Sequence, residues 1–153
     1  MIIIWFLLLI APLTLFIHEF GHSIGAYLVK SDKIQLFIGV GKRIFSFHIS
    51  KISIHIHTIY MLGGHTASER NPFYTKSEQI IISLFGPLLN GVMGILGTVL
   101  FYGSNSSVLL FFNLFNIWLC VINLIPYRIG DRQSDGYVVL KTMFGKQNQH
   151  ESM

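Results

Sequence analysis

His18-Glu19-Phe20-Gly21-His22 interrupts a run from Met1 to Val29 in which Glu19 is the only formally charged side chain. On a helix, positions four apart are separated by about 40° of rotation and about 6 Å of rise, so both imidazoles can reach one metal ion. Glu19, one residue along, can address a water bound to that ion, the arrangement used by zinc-dependent hydrolases. In a soluble helix the same pattern could be two hydrogen-bonded core histidines and an incidental glutamate. In an apolar span an ionisable side chain is expensive and calls for a partner, which makes a functional site the default reading.

The surrounding composition marks that run as a span. Of 153 residues, 52% are apolar and 12% charged, against roughly 25% charged in an ordinary soluble domain. Mean hydropathy is +0.58. A bilayer core needs about 20 apolar residues per helix. The run around the motif supplies one span at about 2–28. The uncharged stretch Gln79–Tyr127 holds two more, at about 80–101 and 108–125, split by the polar cluster Tyr102-Gly103-Ser104-Asn105-Ser106-Ser107. The first span lacks the basic n-region and small-residue cleavage site of a secretory signal peptide, so it reads as retained. The net charge of +4 includes no basic stripe that would fit nucleic acid, and the single Cys120 lies in an apolar run and forms no disulfide framework.

All 11 Lys and Arg residues fall on one side of these spans: seven lie between Lys30 and Lys76 and four follow Ile125. Basic loops stay in the cytoplasm. The N-terminus and the 102–107 turn are therefore expected outside, with the long loop, the C-terminal tail and the H-E-x-x-H end of the first span at the cytoplasmic face of a multi-pass cell-membrane protein.

The long loop alternates. Ile52, Ile54 and Ile56 fall on one side, with Ser53, His55 and His57 on the other. Two β-like runs precede it, Ile34–Val40 and Ile44–Ile49, separated by the turn signal Gly41-Lys42-Arg43. A small cytoplasmic sheet between the first and second spans is expected over 34–66, with one greasy face resting on or dipping into the membrane.

Two histidines and a water leave a tetrahedral zinc one protein ligand short. Asp135, in Ser134-Asp135-Gly136 beyond the third span, is a candidate. Ser134 or Asp135 could instead cap a short amphipathic helix at about 136–144. Asp131 is the nearest rival, and His55, His57 and His65 are further options. On the third span Asn113, Asn116, Cys120 and Asn123 fall within about 80° of one another, a polar stripe that should face the other helices. Interhelical hydrogen bonding is the expected use of Asn113 and Asn116. Gly91, Gly94 and Gly97 permit close packing of the second span.

Taken in order, these residues resemble the site-2 protease family of intramembrane zinc metalloproteases. His18-Glu19-Phe20-Gly21-His22 with Ala26 is similar to its H-E-x-G-H-x-x-x-A helix, and Gly86-Pro87-Leu88-Leu89-Asn90 to its G-P-x-x-N helix. Asn123-Leu124-Ile125-Pro126 with Asp135-Gly136 is similar to N-x-x-P…D-G, and Leu62-Gly63-Gly64 to the L-G-G closing its β-rich loop. One spacing departs: the D-G commonly follows the asparagine by about eight residues, and here Asp135 is twelve after Asn123. Uninterrupted spacing would select Asp131. The following glycine favours Asp135, and Arg132 beside Asp131 would compete for that carboxylate.

The resemblance implies a membrane α-helical fold, a three-transmembrane-helix core with its small sheet, forming one membrane-embedded metalloprotease domain over 1–153. It implies one Zn2+ per chain on His18, His22 and Asp135. Glu19 becomes the general base and Asn123 a substrate-positioning or oxyanion residue, with Asn90, Gly63 and Gly64 at the substrate. The substrate would be a transmembrane or membrane-associated peptide or protein, unwound locally and received on a strand edge in the 51–66 region. No soluble regulatory domain fits this length, so regulation is expected to come from partners, a membrane protein among them, or from substrate presentation. Two other functions compete. An inactive partner subunit would have no use for Glu19, and a metal transporter would carry acids or histidines through the second span, which has none.

The Lys/Arg distribution gives a direct test. In a Cys120→Ala background, Ser104→Cys should react with an impermeant thiol reagent outside intact cells and Ser152→Cys should not; labelling of Ser152→Cys from outside reverses the orientation.

Overall fold

The computed structural model describes residues 2–145. The polar tail beyond Gly145, with Lys146 and Ser152, lies outside them.

Helix α1 (Ile2–Leu28) is helical throughout and long and apolar enough to cross a membrane. Its Phe6–Ile10 turn is π-helical, immediately ahead of Pro12. Proline donates no hydrogen bond and its ring crowds the carbonyl four residues back, so one widened turn relieves a clash that would otherwise kink the helix. The helix ends where Ser31 N and Oγ both bond the Ala26 carbonyl, at 3.0 and 2.7 Å. Lys30 there takes a positive φ of 61°.

Two long strands follow, β1 (Lys33–Ile49) and β2 (Ile52–Glu69). Residues 34–38 pair on both sides, with 64–68 in falling register and with 52–56 in rising register, while 45–49 pair back onto 52–56. The lateral order of segments is therefore 64–69, 33–38, 52–56, 45–49. The middle pairing runs parallel inside an otherwise antiparallel ribbon. The expected break at Gly41-Lys42-Arg43 is a run of register shifts within one continuous strand, with Gly39 and Gly41 at positive φ. Ile34 and Leu36 are fully buried. Phe45, Phe47 and Ile49 on the outermost segment are exposed.

Helix α2 (Lys76–Leu100) begins four residues before the apolar run because the cap sets its start. Thr75 accepts from Glu78 N, and the Glu78 carboxylate in turn accepts from Thr75 N at 2.7 Å. Glu78 also takes both guanidinium arms of Arg70, at 2.6 and 2.7 Å, while Arg70 reaches the Val29 carbonyl at 2.7 Å. One arginine thus ties the end of α1, the end of the sheet and the start of α2 together. Helix α3 (Ser107–Leu124) is capped by Ser106. The short hairpin of β3 (Arg128–Ile129) and β4 (Arg132–Gln133) then leads to α4 (Asp135–Phe144).

Small residues set the helix spacing. A Cβ on Gly25 would lie 3.0 Å from Ile82 Cα, and one on Gly94 would lie 2.6 Å from Ile117 Cγ1. Gly97 leaves no room for a side chain beside the Asn113 amide. The opposite faces, with Val92, Ile95 and Val99 on α2 and Leu110, Leu114 and Val121 on α3, are exposed and apolar, as hydrocarbon contact requires. Gly94→Leu should force α2 and α3 apart and destabilise the protein by about 1–3 kcal/mol. Val92→Ala, on the outward face, should leave melting in detergent almost unchanged. Equal melting temperatures for the two variants would contradict the packing described.

Candidate metal centre

His18, His22 and Asp135 offer ligand atoms that all lie within 4.8 Å of one another. The two histidines face one way because they are one turn apart on α1. Asp135 arrives from α4, whose N-terminus is placed by Ser134. That hydroxyl accepts from Tyr137 N at 3.1 Å and Tyr127 N at 3.0 Å and donates to the Ile125 carbonyl at 2.8 Å. Ser134 therefore caps the helix, and the Asp135 carboxylate is free to turn toward the histidines. Asp135 Oδ2 stands 3.1 Å from His18 Nε2, and Oδ1 stands 3.3 Å from His22 Nε2.

The second ring nitrogens fix the tautomers. Asn90 Nδ2 donates to the Thr14 carbonyl (3.1 Å) and to Asn116 Oδ1 (2.8 Å), so Asn90 Oδ1 is the acceptor for His18 Nδ1–H at 2.8 Å. His22 Nδ1–H donates to the Ile82 carbonyl at 2.8 Å. Both Nε2 lone pairs then converge, 3.2 Å apart, on the side where Asp135 presents its oxygens. Such a set repels itself unless a cation or protons lie between the members. The spacings suit zinc, since a tetrahedron with bonds of about 2.0–2.1 Å has edges of about 3.3 Å. Burial alone would raise the pKa of Asp135, but when protons occupy the two Nε2 positions in place of a cation, hydrogen bonding and charge from the imidazolium rings outweigh burial and hold the carboxyl at about 2. At neutral pH it is an anionic donor.

Room for this geometry comes from α2. A side chain on Gly86 would overlap the His22 imidazole, so the glycine after Phe85 leaves room for the ring against the helix. Glu19 is buried beside the centre, against the sheet, where Thr66 Oγ1 lies 2.7 Å from its Oε2. A cavity of about 880 Å3 opens over these groups. Glu19, Gly63, Gly64 and Thr66 line one wall, Asn123 and Trp118 a second, and the β3–β4 hairpin with Asp131 and Arg132 a third.

Each residue singled out in the sequence can now be placed. Asn123 lines the cavity, its amide donating to the Leu119 carbonyl at 3.0 Å. Gly63 and Gly64 line it as well. Asn90 is fully buried behind His18 with both ends of its amide engaged. Asp131 is exposed at the cavity mouth, outside the three-residue cluster. Asn116 bonds across to Asn90 and Thr14, but Asn113 Oδ1 has no partner among the described residues, because Gly97 fills that position opposite it.

His55 and His57 sit on the sheet away from the cluster. His55 bonds Ser46 at 2.9 Å and stacks on Phe37. Burial, and then Arg43 and the neighbouring His48, His57 and Lys33, keep its pKa below the ordinary value. His65 lines the cavity but also stacks on Phe37. Thr66 and Thr14 were not singled out in the sequence, and nothing in a lone threonine would have marked them.

The family model described as peptidase family M50 matches residues 5–107, about two thirds of the chain. That interval contains His18, Glu19, His22, the sheet and Asn90; Asn123 and Asp135 follow it. No curated protein matches the sequence.

Metal analysis of detergent-purified protein tests the assignment. His22→Ala and Asp135→Ala should lose most of the zinc, while Asp131→Ala should keep it. Asn90→Ala removes the group that orients His18 and should weaken zinc affinity by about 10–100-fold. Zinc lost from Asp131→Ala and kept in Asp135→Ala would transfer the ligand role to Asp131.

Proposed function

Since the chain belongs to peptidase family M50, the site-2 protease family, we propose that it is an intramembrane zinc metalloprotease that hydrolyses peptide bonds of membrane-embedded or membrane-associated substrates near the cytoplasmic face. The observation that carries this reading is the buried Glu19 placed beside three converging ligand atoms on one side of a large cavity. A purely structural metal site has no use for a carboxylate that is not a ligand.

In this reading His18, His22 and Asp135 hold one Zn2+, which when bound acidifies water and polarises a carbonyl. Glu19 takes the proton from the attacking water and returns it to the leaving amine. Asn123, on the cavity wall, supplies a donor for the carbonyl oxygen as it gains charge. Asn90 acts behind His18, fixing its tautomer, instead of touching substrate. Among the described residues the edge segment 64–68 pairs on one side only, which supports β-addition of an unwound substrate there. That pairing would replace the hydrogen bonds the substrate helix gives up. The whole chain acts as one membrane-embedded unit with its N-terminus outside, the lipid bilayer as its immediate environment, and access governed by how substrate, or a membrane partner, is presented.

The test works with an unidentified substrate. Zinc-loaded protein in detergent is incubated with a peptide library prepared from membrane proteins, and new termini are read by mass spectrometry. The wild type should generate them. Glu19→Gln should keep its zinc and lose about 10²–10⁴-fold in rate. Cleavage by Glu19→Gln at the wild-type rate, or none by the zinc-loaded wild type, overturns the proposal.

A further inference from the structure

We propose that Thr66 is a positioning residue for Glu19: the free edge of the sheet forms a saddle, Gly64 and Thr66, that holds the carboxylate over the metal centre. The inference rests on Glu19 being the general base.

Three observations carry it. Residues two apart on a strand share a face, so Gly64 and Thr66 both point at α1. At Gly64 a Cβ would lie 2.6 Å from Glu19 Cγ; only glycine leaves room for the glutamate stem to cross the strand. At Thr66 the hydroxyl lies 2.7 Å from Glu19 Oε2 and 3.0 Å from the Glu19 carbonyl. It has a single proton, so it donates to one of them at a time. The carbonyl already accepts from Ser23 Oγ at 3.2 Å, in addition to its helical bond. A charge-assisted bond to a carboxylate is shorter and roughly twice as strong as a neutral one, so the proton goes to Oε2. Among the described residues Thr66 makes the only side-chain hydrogen bond to the Glu19 carboxylate, whose neighbour His18 is locked separately by Asn90.

The saddle has a consequence for how substrate is read. The segment holding Glu19 is also the unpaired edge of the sheet, so a peptide strand added there would be registered against the same residues that aim the base. Attachment and aim are set by one strand.

Thr66→Val keeps the shape and removes the donor, and Thr66→Ser restores it. With the best-cut peptide from the library, Thr66→Val should lower kcat about 10–100-fold with KM and zinc content unchanged, and Thr66→Ser should recover most of the loss. A second readout needs no turnover. In metal-free protein, Thr66→Val should lower the melting temperature clearly more when Glu19 is present than in a Glu19→Leu background. Should Thr66→Val not fold, Thr66→Ala takes its place in both experiments. Unchanged kcat, a loss of zinc parallel to the loss of rate, or an additive double-mutant cycle each overturns the role of Thr66. An inactive wild type with a non-additive cycle would instead retain the contact and remove only the proteolytic reading.

Discussion

Three lone-pair-bearing groups, brought from α1 and α4 to within 4.8 Å of one another, are the constraint that the rest of the molecule serves. Left alone they repel, so each must be held by something that gains from holding it. His18 is held by the oxygen of an amide whose two N–H groups are spent on Thr14 and Asn116. His22 is held by a carbonyl on α2, and Asp135 by a helix whose capping is done by its neighbour. In water such arrangements would be softened by solvent. Between apolar helices, where an unpaired polar group costs several kcal/mol, a fully satisfied network is a stiff one.

Much of this was legible in the sequence because it rests on local chemistry. The i, i+4 histidines, the two uncharged stretches and the polar turn at 102–107 depend only on helix geometry and bilayer thickness. The glycines of the second span point to close packing by type alone. Where the sequence misled, the cause was tertiary. Hydropathy cannot see that Thr75 and Glu78 cap α2 ahead of its apolar part, nor that Asn90 faces His18 and not the cavity. The alternation of 52–57 gave the two faces of a strand, but the lateral order of the sheet depends on pairings between residues far apart in the chain, among them Ile34 with both Ile52 and Ser68.

The choice between Asp135 and Asp131 illustrates the same limit from the other side. Counting residues from Asn123 favours Asp131, but counting assumes an uninterrupted path. The intervening residues fold into the β3–β4 hairpin, whose ends are brought together as Arg128 pairs with Gln133 and Ser134 N bonds the Tyr127 carbonyl at 3.0 Å. A hairpin returns the chain to where it left, so the added residues change the numbering and leave the approach of α4 to α1 as short as before. They also furnish one wall of the cavity, carrying Asp131 and Arg132 to its mouth.

The sheet joins the two halves of this design. Its inner segment buries Ile34 and Leu36 completely, and its outer segment leaves Phe45, Phe47 and Ile49 exposed. A water-facing sheet would carry polar residues at such an edge to prevent association. In a membrane protein whose helices expose the same kind of surface, an apolar outer segment is instead suited to lie against the acyl boundary. Arg70 clamps the other side of the sheet to α1 and α2. That clamp lies four residues beyond Thr66, and it is what allows a side chain so short to define the position of a carboxylate reaching it from a separate helix.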